Sequence, residues 1–211
     1  MLIHRRVMIA ALLTLAVAPL AAQGVGDWKV RIDKSQSASD PDDTPNLTFV
    51  AAGKGFRATG GPAGTFWNPA NTATGTYTAK ATFTLMKPSG HVNYYGLIFG
   101  GANLEAANQT YAYFLVAQNG NFIIRHRTGE TIKDVMTSTP HAAITRPDTS
   151  GRSVNTLEVR VAGTTVAFVV NGQTVHSMPT ASLGGSTYGM VGTRVNHVLD
   201  VQFEGPQIQR G

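Results

Sequence analysis

The side chains best equipped for chemistry in this 211-residue chain are aromatic rings and guanidinium groups lying close together in sequence. Trp67, Tyr94, Tyr111 and Tyr113 offer flat rings, and Arg125, His126 and Arg127 follow the tyrosines within one short span. Rings of this kind stack on apolar surfaces, and planar donors such as arginine make paired hydrogen bonds to oxygen-rich ligands, the two contacts by which sugars are held. Alternation along a strand puts Tyr111, Tyr113 and Leu115 on one face. On the next strand it puts Ile123, Arg125 and Arg127 on one face, so a matching register would lay tyrosines beside arginines. Failing that, the tyrosines are core residues and the arginines solvate an outer surface.

A second polar group is Arg194, Asn196 and Asp200, with His197, in the segment TRVNHVLD. The first three share a parity if one strand runs through them, either as a ligand site or as a structural arginine–aspartate clasp. Asp40, Asp42 and Asp43 supply hard oxygen ligands of the sort Ca²⁺ accepts. They equally fit a solvated acidic loop beside Pro41.

Other chemistries find no support in the residue pattern. There is no Gly-x-Ser-x-Gly elbow, and the Gly-Gly pairs at 60, 100 and 184 lack the lysine and helix of a phosphate loop. The six histidines are scattered without metal-ligand spacing, and the absence of cysteine removes disulfides and thiolate-bound zinc. A formal charge of +5, with 14% charged residues and no dense basic cluster, argues against nucleic acid as a partner.

The elements that must position these groups are strands. Tyr94 to Arg127 reads as three apolar runs of strand length separated by turn residues, the last two joined at Gln118-Asn119-Gly120-Asn121, where the Asn-Gly pair favours a tight turn with positive φ. Gly75 to Leu85 alternates strictly, with Tyr77, Ala79, Ala81, Phe83 and Leu85 on one side and threonines and Lys80 on the other, the pattern of a strand with one wet face. Asn155–Val161, Thr165–Val170 and Gln173–Ser177 form a double hairpin around Ala162-Gly163 and Asn171-Gly172. Shorter strands are expected at Trp28–Ile32, Leu47–Ala51, Gly55–Thr59, Thr65–Trp67, Thr131–Met136, Tyr188–Arg194 and Val198–Phe203. The stretch from Pro140 to Arg152 reads as a loop with room for a helical turn. With 23 Gly and 10 Pro and no long amphipathic helix after residue 22, the composition is that of an all-β domain.

Residues 1–22 are expected to be a signal peptide. His4, Arg5 and Arg6 precede an apolar run, and Pro19-Leu20-Ala21-Ala22 ends in small residues. The run is shorter than the ~20 residues of a spanning helix. The expected mature unit is a single domain at 23–211, exported to the periplasm or beyond, with no membrane span after cleavage and an oligomeric state that the sequence does not specify.

The order YYGLIFGG, YAYFLVAQNGNFIIRHR, NTLEVRVAGTTVAFVVNGQTV and YGMVGTRVNHVLDVQF resembles the concanavalin A-like lectin/glucanase superfamily, in particular its laminin G-like exported members. The match covers about Tyr77 to Phe203, and the Val170-Asn171-Gly172 turn is its most specific part. The resemblance implies a jelly-roll β-sandwich of two antiparallel sheets, one of them concave, with a glycan or protein ligand on the concave face and, in laminin G relatives, calcium in a loop. The superfamily's glucanases carry a Glu-x-Asp-x-Glu carboxylate pattern on one strand. Here Glu158 and Asp200 stand alone, which argues against that activity. The resulting expectation is a carbohydrate-binding, lectin-like module without catalytic activity or obligate cofactor, whose partner is a polysaccharide or glycan. Its ligand residues are Trp67, Tyr94, Tyr111, Tyr113, Arg125, His126, Arg127, Arg194 and Asn196. The alternatives are a glycoside hydrolase-type enzyme of the same fold and a protein-interaction or structural module.

Overall fold

The computed structural model describes residues 25–33 and 46–211. The expected signal peptide and the acidic loop with Asp40, Asp42 and Asp43 lie outside the described residues. The strands are β1 (Lys29–Ile32), β2 (Thr48–Ala52), β3 (Gly55–Thr59), β4 (Gly64–Ala73), β5 (Tyr77–Lys87), β6 (Tyr94–Ala102), β7 (Thr110–Ala117), β8 (Asn121–Thr128), β9 (Thr131–Pro140), β10 (Ser153–Ala162), β11 (Thr165–Val170), β12 (Gln173–Pro179), β13 (Gly189–Val195) and β14 (Asp200–Arg210). They form two seven-stranded sheets, β1-β4-β13-β6-β7-β8-β9 and β12-β11-β10-β5-β14-β3-β2. The pairings are antiparallel, and β4 with β13 and β5 with β14 are joined across long stretches of chain. The result is a jelly-roll sandwich, with local meanders at β6–β9 and β10–β12 as the sequence anticipates.

Alternation decides what fills the space between the sheets. Tyr77, Ala79, Ala81, Phe83 and Leu85 of β5 all point inward and are buried, as are Leu157, Val159 and Phe168 from β10 and β11 of the same sheet and Leu97, Phe99, Phe114 and Val116 from β6 and β7 of the facing one. Phe203 occupies the centre of one end of this core. The rings of Trp28, Phe49, Phe56, Phe66 and Phe83 surround it at centroid distances of 5.9 to 6.1 Å. At such spacings tilted aromatic pairs contribute attraction beyond area burial.

The most specific part of the sequence resemblance has a structural explanation. Asn171 adopts a left-handed conformation, φ 50°, in the two-residue turn between β11 and β12. Its side-chain carbonyl accepts from Thr156 N at 2.8 Å, while its amide donates to Ala143 O at 2.8 Å and Asn155 Oδ1 at 3.0 Å. The fully buried Asn155 donates in turn to Thr145 O (2.9 Å) and accepts from Thr145 N (2.8 Å). The two asparagines therefore lash the loop between β9 and β10 to the double hairpin, so that NTL and VNG are clasps of the scaffold rather than ligand contacts. That loop carries a turn, with Ile144 N bonded to His141 O, and no helix.

The structure decides two local points. The tight turn expected between β7 and β8 is present and has three residues: Gly120 N bonds Ala117 O, and Gly120 takes the positive φ. TRVNHVLD is not one continuous strand. β13 ends at Val195 in the first sheet and β14 starts at Asp200 in the second, so shared parity with Arg194 is lost. Asp200 instead accepts from Arg57 Nε at 2.7 Å and Thr59 Oγ1 at 3.1 Å.

Candidate functional site

The outer face of the first sheet carries a second apolar cluster separate from the inter-sheet core: Trp67, Ile98, Leu104, Tyr111, Tyr113, Leu115 and Ile123. Register aligns it. One row crosses all seven strands, Lys29 beside Trp67, Gly192, Ile98, Tyr113, Arg125 and Asp134. A neighbouring row places Arg31, Thr65 and Arg194 side by side. Gly192 is required opposite Trp67, because a Cβ there would fall 2.3 Å from Phe66 O and 3.0 Å from Trp67 Cβ.

Most of the residues singled out from the sequence meet on this face. Tyr111 and Tyr113 lie 5.7 Å apart, with the Arg194 guanidinium 5.6 Å from the Tyr113 ring centre, and both rings are buried within the cluster, as the core alternative expected. Arg194 is buried, and donates to Thr65 Oγ1 and the Tyr111 hydroxyl at 3.1 Å each and to Asn196 Oδ1 at 3.1 Å. Arg125 pairs with Asp134 at 2.5 Å. Tyr94, half-buried, packs against the cluster and shares a hydrogen bond with Ser138 Oγ at 2.8 Å. Trp67 is only 2% exposed and walls a cavity of about 380 Å³ with Lys29, Pro69, Leu104, Glu105 and Met190. Lys29 and Glu105 close its rim as an ion pair.

His126 does not join them. It lies between Arg125 and Arg127 and so points to the opposite side of the sheet, where its ring nitrogens face Thr110 and Thr128 and Gly185 packs against it. A Cβ on Gly185 would sit 2.0 Å from Nε2. Burial, with help from nearby Lys133, lowers the imidazole pKa from 6.5.

Three residues that the sequence did not mark complete the site. Asp33, just past β1, accepts through Oδ2 from Arg194 at 2.6 Å and from Arg127 at 2.8 Å. Burial alone would raise its carboxyl, but the two guanidiniums outweigh burial and hold it below 3.8. Asp33 is therefore ionised at neutral pH and unsuited to donate a proton as a general acid. Arg31 donates to Ala106 O at 2.9 Å and Leu104 O at 3.4 Å, tying the β6–β7 loop onto the face. Gln109 closes the same loop: its N–H donates to Ala106 O and its carbonyl accepts from Gly129 N. Among the described residues, Asp33 Oδ1 and both side-chain amide atoms of Gln109 are buried without a hydrogen-bond partner. The only signal for Asp33 was its parity with Arg31, which the polar loop after it masked. Gln109 belongs to a loop without periodicity. Among the described residues no group of three or more histidines and acids is arranged to hold a metal.

The sequence matches no protein-family model and no curated protein. The fold does have solved counterparts. The carbohydrate-binding module CBM66 from Bacillus subtilis superposes with a TM-score of 0.61 at 12% identity, covering 87% of this chain and 95% of that one. A Bacillus subtilis protein of unknown function with a galectin-like fold also scores 0.61, at 10% identity over 87% and 89% of the two chains. The architecture is thus the jelly-roll sandwich of galectin-like and carbohydrate-binding-module structures.

Proposed function

We propose that the outer face of the first sheet binds carbohydrate and that the protein is an exported module that holds a polysaccharide or glycan without cleaving it. The observation that carries this reading is the convergence on one face of Trp67, Tyr111 and Tyr113 with Arg127, Arg194 and Asp33, beside a cavity of about 380 Å³. Aromatic walls with a few convergent polar groups are the makeup of small-ligand sites. Asp33, Gln109 and the arginines supply planar partners for hydroxyl groups. The likeness in fold to a carbohydrate-binding module points the same way, and the N-terminal sequence supports export.

The test is a panel of polysaccharides and oligosaccharides titrated with the protein, each mixture assayed for released reducing ends. Binding without release is expected, weakened at least about tenfold by Tyr94→Ala, since Tyr94 is the half-buried ring packed against this cluster and a lost stacking ring costs on the order of 1.4 kcal/mol. Release of sugar would replace this reading with a hydrolase. Binding that Tyr94→Ala leaves intact would move the site off this face.

A further inference from the structure

Charge is unevenly distributed over the outer face of the first sheet. Lys29 is matched by Glu105 and Arg125 by Asp134. At the corner where β1 meets the β6–β7 loop the match fails among the described residues: Arg127 and Arg194 share the carboxylate of Asp33, and Arg31 is bonded to the neutral carbonyl oxygens of Leu104 and Ala106. Among the described residues, three guanidiniums therefore face one carboxylate. Arg127 and Arg194 are largely withdrawn from solvent, with side chains 11% and 7% exposed, where water screens the surplus poorly. The corner also holds the unsatisfied Asp33 Oδ1, and the chain at Gln109, whose side-chain amide is unsatisfied too, adjoins it. Gln109 is linked to it by hydrogen bonds, since the Ala106 oxygen that accepts from Arg31 also accepts from Gln109 N, and the Gly129 whose oxygen accepts from Arg127 Nε donates to Gln109 O.

Resting on the carbohydrate reading above, we infer that the ligand is an acidic sugar, carrying a carboxylate or sulfate, recognised at the corner formed by Arg31, Asp33, Gln109, Arg127 and Arg194. Each simpler ligand leaves something unmet. A neutral sugar satisfies Asp33 Oδ1 and the Gln109 amide but leaves the surplus positive charge. An inorganic anion meets the charge but brings no donor for Asp33 Oδ1. A cation suits Asp33 Oδ1 and is repelled by three guanidiniums. A sugar bearing both an anionic group and hydroxyls meets all of these needs at once, with the anion on the arginines as charge-assisted hydrogen bonds and hydroxyls on Asp33 and Gln109.

The test titrates the full chain with uronic-acid and sulfated oligosaccharides, each beside its neutral counterpart, such as oligogalacturonate beside its methyl ester. The acidic member of a pair is expected to bind at least about tenfold more tightly, the scale of one hydrogen bond to a charged group. Raising salt from about 0.05 M to about 0.5 M should weaken it severalfold, because half-exposed Arg31 and the incoming anion are screened even though Arg127 and Arg194 are not. Arg31→Gln, at the half-exposed member of the cluster, should remove the preference. Lys54→Gln, which deletes the same charge from the turn between β2 and β3, should not. Arg127→Gln serves as a second variant, its folding checked by circular dichroism. Equal binding of the acidic and esterified forms would overturn this inference and leave the carbohydrate reading standing. A preference that Lys54→Gln abolishes as fully as Arg31→Gln would reduce it to net charge and overturn it too. Silence with every sugar, neutral and acidic, would end both.

Discussion

Replacing Asp33 with asparagine isolates the electrostatic core of the proposed site. The carboxylate is 13% exposed and Arg194 7% exposed, and their contact is 2.6 Å, so the pair is effectively buried. Removing one partner of a buried ion pair costs about 3–5 kcal/mol, mostly because the remaining charge is stranded. Two features lower the figure here. Asparagine keeps an oxygen that can accept one guanidinium, and Arg194 retains Thr65, Tyr111 and Asn196. The expected loss is about 2–3 kcal/mol, which for a domain of this size is a fall in Tm of roughly 5–10 °C. Urea unfolding of the wild type, Asp33→Asn, Arg194→Met and the double variant measures it. The double variant should lose less than the sum of the singles by about 1 kcal/mol or more. The pH dependence has a defined sign. Asp33 is held below 3.8, so its contribution is complete above that value and disappears as pH falls through the lower folded-state pKa. The gap between wild type and Asp33→Asn should stay constant from pH 8 to 5 and close only in stronger acid. A loss under about 0.5 kcal/mol, or additive single effects, would refute the account of Asp33 as the shared counterion of two buried arginines.

Two further outcomes test the scaffold. Phe203→Ala opens a hole among five aromatic rings and should cost about 3–5 kcal/mol by denaturant unfolding; a loss near that of an exposed residue would contradict its central place in the core. His126, whose pKa is lowered from 6.5 by burial and Lys133, stays neutral in the fold while the unfolded chain protonates. Its contribution is therefore whole above about pH 6.5 and is lost as pH falls through the depressed folded value, so His126→Gln should flatten part of the stability slope between pH 7 and 5. An identical slope in the variant would show that His126 does not titrate as its surroundings require.

The sequence by itself determined the class and much of the layout. Strict alternation in 77–85, the three runs of 94–127 and the double hairpin at 155–177 each encode a strand whose buried face is fixed by a period of two, a local property of the chain. The same periodicity foretold that Tyr111 and Tyr113 lie beside Arg125 and Arg127, because a hairpin joins β7 to β8 and register follows from the turn. His126, counted with them as a ligand residue, faces the other way, as the period of two requires of the residue between Arg125 and Arg127. Only the tertiary structure decided what is brought to that hairpin from far along the chain. Asp33 meets Arg194 across 161 positions and Arg127 across 94, and Trp67 comes level with Tyr113 only through β13 and β6, contacts that no local pattern records. It also separated Asp200 from Arg194, because the chain changes sheets between Val195 and Asp200. Whether a strand continues or crosses to the opposite layer depends on which sheet edge completes the core. That is a global property of packing, and the eight residues of TRVNHVLD do not contain it.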